Sequence, residues 1–321
     1  MLEEVMDVKK GVLLINLGTP KTPTEKDVRA YLKKFLSDPR VIDMPRWKWK
    51  PILNLMILPH RPAKSAKLYQ QIWSDEHGSP LQYYTERQTK LLQERLPDYI
   101  VKYAMSYSAP FIADVLELFE VAGIDSLTII PLYPQYSTTT VGSVVDDINQ
   151  FYYKRARIPA LHIITDFCDS EAYIRVLSEK IKREYNKFKP DKVLFSYHGI
   201  PVSYVAKGDP YRARCDLTTK LLTQRLEGVP YLQTFQSRFG PDEWLTPSTD
   251  TTLKELPALG VKRVLVVSPS FVSDCLETLH ELDIENRDYF LNNGGGEFRM
   301  LPALNDDAGF IDVLQRLVEQ G

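Results

Sequence analysis

"KVLFSYHGIP", residues 192–201, is an apolar run that ends on an imidazole. Val193, Leu194 and Phe195 read as a strand buried on both faces, and Gly199 and Pro201 then break it. His198 is therefore the last side chain that the strand delivers to its carboxyl edge. Upstream, "VLLINLGTP" (12–20) repeats the build of apolar run, Gly and Pro, with Leu17 in the place of His198. A second pair rhymes as well. "VAGIDSLTIIPLYPQYS" (121–137) and "ALGVKRVLVVSPSFVS" (258–273) each pass from a helix ending at Gly into a strand, a Pro and an aromatic residue. Two pairs in the same order predict two similar halves.

Working outward, apolar runs at 11–17, 126–132, 161–165, 192–197 and 262–269 alternate with helix-period segments at 113–123, 171–188 and 249–260. Continuous apolar strands between amphipathic helices predict parallel sheets covered on both faces. The fold class is α/β, with two similar Rossmann-like domains at 1–165 and 166–321, the last helix packing back on the first domain. Ligands of such sheets bind beyond the carboxyl ends of strands. The cleft is then lined by 17–20, 133–140, 197–201 and 270–277.

Forty basic residues against 42 acidic ones leave a formal charge of −2, so no global field points to nucleic acid. The three cysteines, Cys168, Cys215 and Cys275, contain no CxxC and are too few for a disulfide framework. They suit a reducing, cytoplasmic setting. The first eleven residues lack the apolar core of a signal peptide. "PILNLMILP" (51–59) is far short of the roughly 20 residues of a membrane span.

Three stretches can carry chemistry. In "SDCLETLHELDIE" (273–285), Glu277, Glu281 and Glu285 are four apart, which lines them along one α-helix face, with Asp274 just under a turn before. Taken alone, the stripe is better explained as a solvated acidic face started by a capping box than as a functional group. This helix, however, begins at the expected cleft edge, where a carboxylate ladder can bind a cation or carry protons from His198. One His with several carboxylates suits proton transfer or divalent metals. "MPRWKWKPILNLMILPHRPAKSAKLY" (44–69) mixes Trp, Leu, Ile and Met with Arg46, Lys48, Lys50, His60, Arg61, Lys64 and Lys67. It reads either as an ordinary helical excursion or as a hydrophobic lip over a flat ligand. "PLYPQYSTTTVGS" (131–143) adds Tyr133, Tyr136 and several hydroxyls. There is no GxSxG, HExxH, P-loop or GxGxxG.

These pieces resemble the ferrochelatase family over nearly the whole chain. The matching stretches include "LLINLGTP", "YLKKFLSDPRV", "AKLYQQIW", "AMSYSAP", "PLYPQYSTTTVGS", "FSYHGIP", "GDPYRARC", "TFQSRFGPDEWLTPSTDTTLKEL" and "DCLETLHEL", in the family's order. The resemblance implies an enzyme that inserts Fe²⁺ into a porphyrin held between two domains and releases two protons. His198 and Glu277 match the family's catalytic pair and are also the implied metal ligands. Asp274, Glu281 and Glu285 become a proton relay or metal path. Leu17, Arg61, Lys64, Tyr69, Ser79, Tyr136 and Ser137 fall, by resemblance, around the porphyrin. Iron is a substrate, no permanent cofactor is implied, and with no cysteine after Cys275 no iron–sulfur cluster is expected. Cys275 and Ser106 depart from the pattern, standing where many members carry His and Arg. Leu17 stands where the coproporphyrin branch carries Tyr. Together with the apolar lip it makes protoporphyrin IX the expected substrate, with coproporphyrin III as the alternative. A non-catalytic porphyrin carrier and a corrin-precursor chelatase are the further rivals. A peripheral membrane contact through 44–58 stays open.

Overall fold

The computed structural model describes residues 8–320; the first seven residues, part of the segment read above for targeting signals, lie outside it. Strands β1 (Lys10–Asn16), β2 (Tyr99–Met105), β3 (Ser126–Pro131) and β4 (Ala160–Ile163) form one parallel sheet in the order β2-β1-β3-β4. Strands β5 (Lys192–His198), β6 (Tyr231–Gln236), β7 (Arg263–Val267) and β8 (Glu297–Met300) form a second in the order β6-β5-β7-β8. The two sheets have the same strand order, and β1 and β5 occupy equivalent places. The fold is α/β with two similar parallel-sheet halves, as the rhyming segments predicted.

Three strands escaped the apolar-run reading: β2, β6 and β8. All are edge strands, and each mixes in polar residues such as Lys102, Gln233 and Arg299. An edge strand needs less apolar surface than a central one, so its sequence signal fades.

Period-two alternation divides the interior. Val12 and Leu14 of β1 share one core with Val193, Phe195 and Tyr197 of β5. Leu13 and Ile15 face a core private to the first sheet, and Leu194 faces one private to the second. The shared core also takes residues of the helices Glu171–Phe188 and Ala308–Glu319, among them Tyr173 and Phe310. The last helix packs against the helix Pro80–Arg95, where Arg95 donates to the Ala308 carbonyl (3.1 Å) and to Asp312 (3.3 Å).

Polar ties cross between the halves. The Gln88 amide donates to Ser273 Oγ (2.9 Å) and to the Asn305 carbonyl (2.8 Å). Asp209 Oδ2 accepts from Ser137 Oγ (2.9 Å), Thr138 N (2.8 Å) and Thr138 Oγ1 (2.7 Å).

The lip is built from the helix Arg46–Ile52, the π-helix Leu53–Ile57 and the helix Arg61–Ile72. Leu53, Leu58, Ala66 and Tyr69 anchor it on Val28, Tyr31 and Leu36. Trp49 is half-buried and donates from Nε1 to the Leu36 carbonyl (2.6 Å), whereas Trp47, Leu55 and Met56 face outward.

Candidate active site in the cleft

His198 closes β5, opposite Gln236 at the end of β6. Its backbone N–H donates to Ser270 Oγ (3.2 Å), and its ring Nδ1 lies 2.6 Å from the Gly199 carbonyl oxygen. A carbonyl can only accept, so Nδ1 carries the proton and Nε2 keeps a free lone pair. Burial pulls the imidazole pKa down, against the opposing pull of the Glu277 carboxylate and the Gly199 carbonyl. The ring is therefore neutral near pH 7. Gly199 is obligatory for this approach, since a Cβ there would meet the Gln236 carbonyl oxygen at 2.7 Å.

The acidic stripe lies on a π-helix, Glu277–Asn286, and not on the α-helix that the four-residue spacing suggested. Hydrogen bonds from i to i+5 put more residues in each turn, so positions four apart drift off a common line. The consequence shows in the three glutamates. Glu277 is half-buried at the start of the π-helix. Glu281 is half-buried too, and its carboxylate accepts from Ser237 N (2.6 Å), Ser237 Oγ (2.5 Å) and Gln236 Nε2 (3.3 Å). Burial pushes it up to about 7 despite the Ser237 hydrogen bonds, and the Glu277 charge adds to the rise. Glu285 is exposed and accepts from the Tyr289 hydroxyl (2.6 Å).

Asp274 has a different setting again. It is buried, and its oxygens accept from Thr278 Oγ1 (3.0 Å), Ala303 N (3.1 Å) and Asn305 Nδ2 (2.7 Å). Its carboxylate is committed to holding the start of the π-helix on the 303–305 segment. The stripe thus contributes two adjoining carboxylates to the cleft, Glu277 and Glu281. The Gln236 amide ties the Glu281 carboxylate to the Glu277 backbone, donating to the Glu277 backbone carbonyl (3.1 Å) as well.

The facing wall comes from the first half and the lip. Leu17, half-buried, packs in the cluster of Tyr31, Tyr69 and Leu276. Burial first, and the Glu277 charge next, push the Cys275 thiol and the Tyr31 phenol up, and Tyr69 is raised by burial and by both neighbours. Cys275 therefore stays a neutral thiol, a poor metal ligand. Arg61 begins its helix half-buried, with its guanidinium 4.5 Å from the centroid of the Phe239 ring. Lys64 is exposed, and Ser79 is buried at the N-cap of the helix Pro80–Arg95. Ser137 Oγ donates to Asp209, and the Tyr136 backbone N–H donates to Asp166 Oδ2 (2.9 Å), so this loop ties the two halves together.

Sequence reasoning missed Gln236, Ser237 and Phe239. Their stretch was matched only through resemblance, and the strand that delivers them is an edge strand. Among the described residues, one further cluster of donor atoms, Asp166, Cys168 and Asp169, already holds a cation of its own: Arg214 pairs with Asp166 (2.5 Å) and Asp169 (3.2 Å).

A family model described as ferrochelatase matches residues 9–321. The chain belongs to the ferrochelatase family. Among ferrochelatase relatives, the coproporphyrin III ferrochelatase of Enterococcus faecalis is 48% identical over 310 residues, covering 97% of this chain and 99% of that one. A ferrochelatase of Hamiltonella defensa is 48% identical over 316 residues, covering 98% and 99%. Among solved structures, SirB from Bacillus subtilis with Fe³⁺ aligns with a TM-score of 0.60 over 97% of this chain and 95% of that one. At 10% identity that likeness concerns the fold alone. Membership makes the protein a metal-inserting lyase of haem biosynthesis, with a porphyrin and a metal ion as its substrates.

Proposed function

We propose that this protein inserts Fe²⁺ into coproporphyrin III, with His198 and Glu277 as the reacting pair. The observation that carries the site is the neutral His198, whose Nε2 lone pair is left free at a cleft edge beside Glu277. A porphyrin must give up two pyrrole N–H protons to bind a divalent metal in its plane. His198 Nε2 accepts one of them. Glu277 takes the other or holds the incoming iron, and Glu281, near neutrality in its affinity for a proton, passes charge outward.

The substrate reading replaces the protoporphyrin expected above. Relatives named coproporphyrin III ferrochelatase, from Enterococcus faecalis and Lactococcus lactis, stand among the most similar. Leu17 belongs to an apolar wall, and an apolar wall does not count carboxylates at the rim of a macrocycle. Arg61, Lys64 and the basic lip residues Arg46, Lys48 and Lys50 favour the porphyrin with four propionates over the one with two.

Anaerobic Fe²⁺ insertion, followed by absorbance with both porphyrins in parallel, tests this. The expected outcome is a kcat/KM at least about tenfold higher for coproporphyrin III, a difference of ~1.4 kcal/mol. A preference for protoporphyrin IX overturns the substrate and keeps the reaction. Tight binding without turnover of either makes the protein a carrier.

The lip also supports contact with an anionic membrane surface. Trp47, Leu55 and Met56 are 75%, 74% and 66% exposed, next to Arg46, Lys48 and Lys50. Among the described residues no helix is long and apolar enough to cross a membrane. Co-sedimentation with anionic vesicles, lost in a Trp47→Ser, Leu55→Ser variant, is the expected result.

A further inference from the structure

The segment after β6 is strapped at both ends to the second half, along the edge of the cleft. At one end, Ser237, with φ of +65°, hangs from the Glu281 carboxylate by its N–H and its hydroxyl. At the other end, Trp244 pairs with Pro201, and the Glu243 carbonyl accepts from Val202 N (2.8 Å). Between these anchors Phe239 projects and is 43% exposed, a solvent cost for a large apolar ring. Its contact is the Arg61 guanidinium, which reaches it from the far side of the cleft at the base of the lip. Among the described residues Arg61 has no hydrogen-bond or ion-pair partner, and burial pulls its pKa down.

A half-buried, unpaired guanidinium is an expensive arrangement unless something is due to meet it. The guanidinium carbon lies 4.5 Å over the ring, and that placement shows how the meeting can be prepared. A guanidinium that stacks on an aromatic ring uses its flat face. The N–H groups that grip a carboxylate two at a time lie in its plane, along its edge. Stacking and carboxylate binding therefore do not compete, and the ring restricts a long, flexible side chain to orientations that keep the edge available.

We propose that Phe239 is a positioning residue for substrate capture: its ring holds the Arg61 guanidinium face-on and leaves the edge free for a porphyrin carboxylate. The inference rests on the porphyrin reading above and deepens it. It makes the strap after β6, tied to the acidic π-helix, part of the recognition of the macrocycle's rim.

The test is a mutant cycle with two readouts: KM and kcat for Fe²⁺ insertion, and the dissociation constant of coproporphyrin III without metal, from its fluorescence. Phe239→Leu keeps an apolar side chain and loses the π face. It is expected to raise KM and the dissociation constant by about three- to tenfold, with kcat unchanged. Phe239→Tyr should restore wild-type values. In an Arg61→Ala background, Phe239→Leu should add nothing. The methyl ester of coproporphyrin III, in the same detergent, should bind wild type and Phe239→Leu equally. Wild-type affinity in Phe239→Leu overturns the proposal. So does an equal loss in the Arg61→Ala background or for the ester, which would mark Phe239 as a plain apolar contact. A wild type that binds coproporphyrin III but inserts no iron would instead overturn the proposed function, and the binding arm would still decide the role of Phe239.

Discussion

The carbonyl of Gly199 settles the tautomer of His198, and the tautomer settles which atom can act. Nδ1 is held in a hydrogen bond, so any proton taken from a substrate must arrive at Nε2. Burial keeps that nitrogen unprotonated below the pH at which a free imidazole titrates. The acid limb of the kcat/KM profile should accordingly fall below about pH 6.5, the ordinary histidine value. A limb above it would mean that Glu277 outweighs burial. His198→Ala removes the acceptor and should lower metal insertion by at least about 100-fold. Since the ring is half-buried at a strand end, the melting temperature should move by only a few degrees, as followed by circular dichroism. Near-normal turnover would remove His198 from the reaction.

The π-helix sets the acidic groups apart from one another, and pH reads that separation. Glu281 titrates near 7 in the folded protein, against 4.5 for an unperturbed side chain. Between those values the folded state holds a proton that the unfolded chain has released. Stability therefore falls as pH rises through this window, and the whole burial cost is felt above about 7. Glu281→Gln mimics the protonated side chain. Its melting temperature should lie nearest that of the wild type at pH 5 and gain on it by pH 8. A difference that stays constant with pH would mean an unshifted carboxyl.

The sequence shows such elements unevenly. The central strands were legible because both faces are buried, and His198 and Glu277 were legible because a strand end and a helix start point at a cleft. Three of the four edge strands, β2, β6 and β8, carry polar residues and faded, and β6 took Gln236, Ser237 and Phe239 with it. A π-turn leaves no period that separates it from an α-turn, so the stripe was drawn straight. The meeting of Arg61 with Phe239 joins residues far apart in the chain, and neither has a local pattern that announces it.

At the scale of the whole molecule, the two cleft walls are joined through one interior. Phe310, on the last helix, lies in the core that β1 and β5 share. Phe310→Ala should cost about 3–5 kcal/mol, and because the core is common the loss should not be confined to one half. Scanning calorimetry is expected to show a single transition, displaced as a unit in the variant. Two separated transitions would show that the halves melt independently.

The shared core has a further meaning for how such a chain can arise. Val12 and Leu14 face it from β1, and their equivalents by position, Val193 and Phe195, face it from β5. Two sheets of the same strand order thus meet through the same face, as the partners of a two-fold homodimer do. A single half with this alternation would carry an uncovered, self-complementary surface, and its natural cover would be another copy of itself. The molecule has the anatomy of such a pair joined in one chain, with an aliphatic residue at one strand tip and an imidazole at the other.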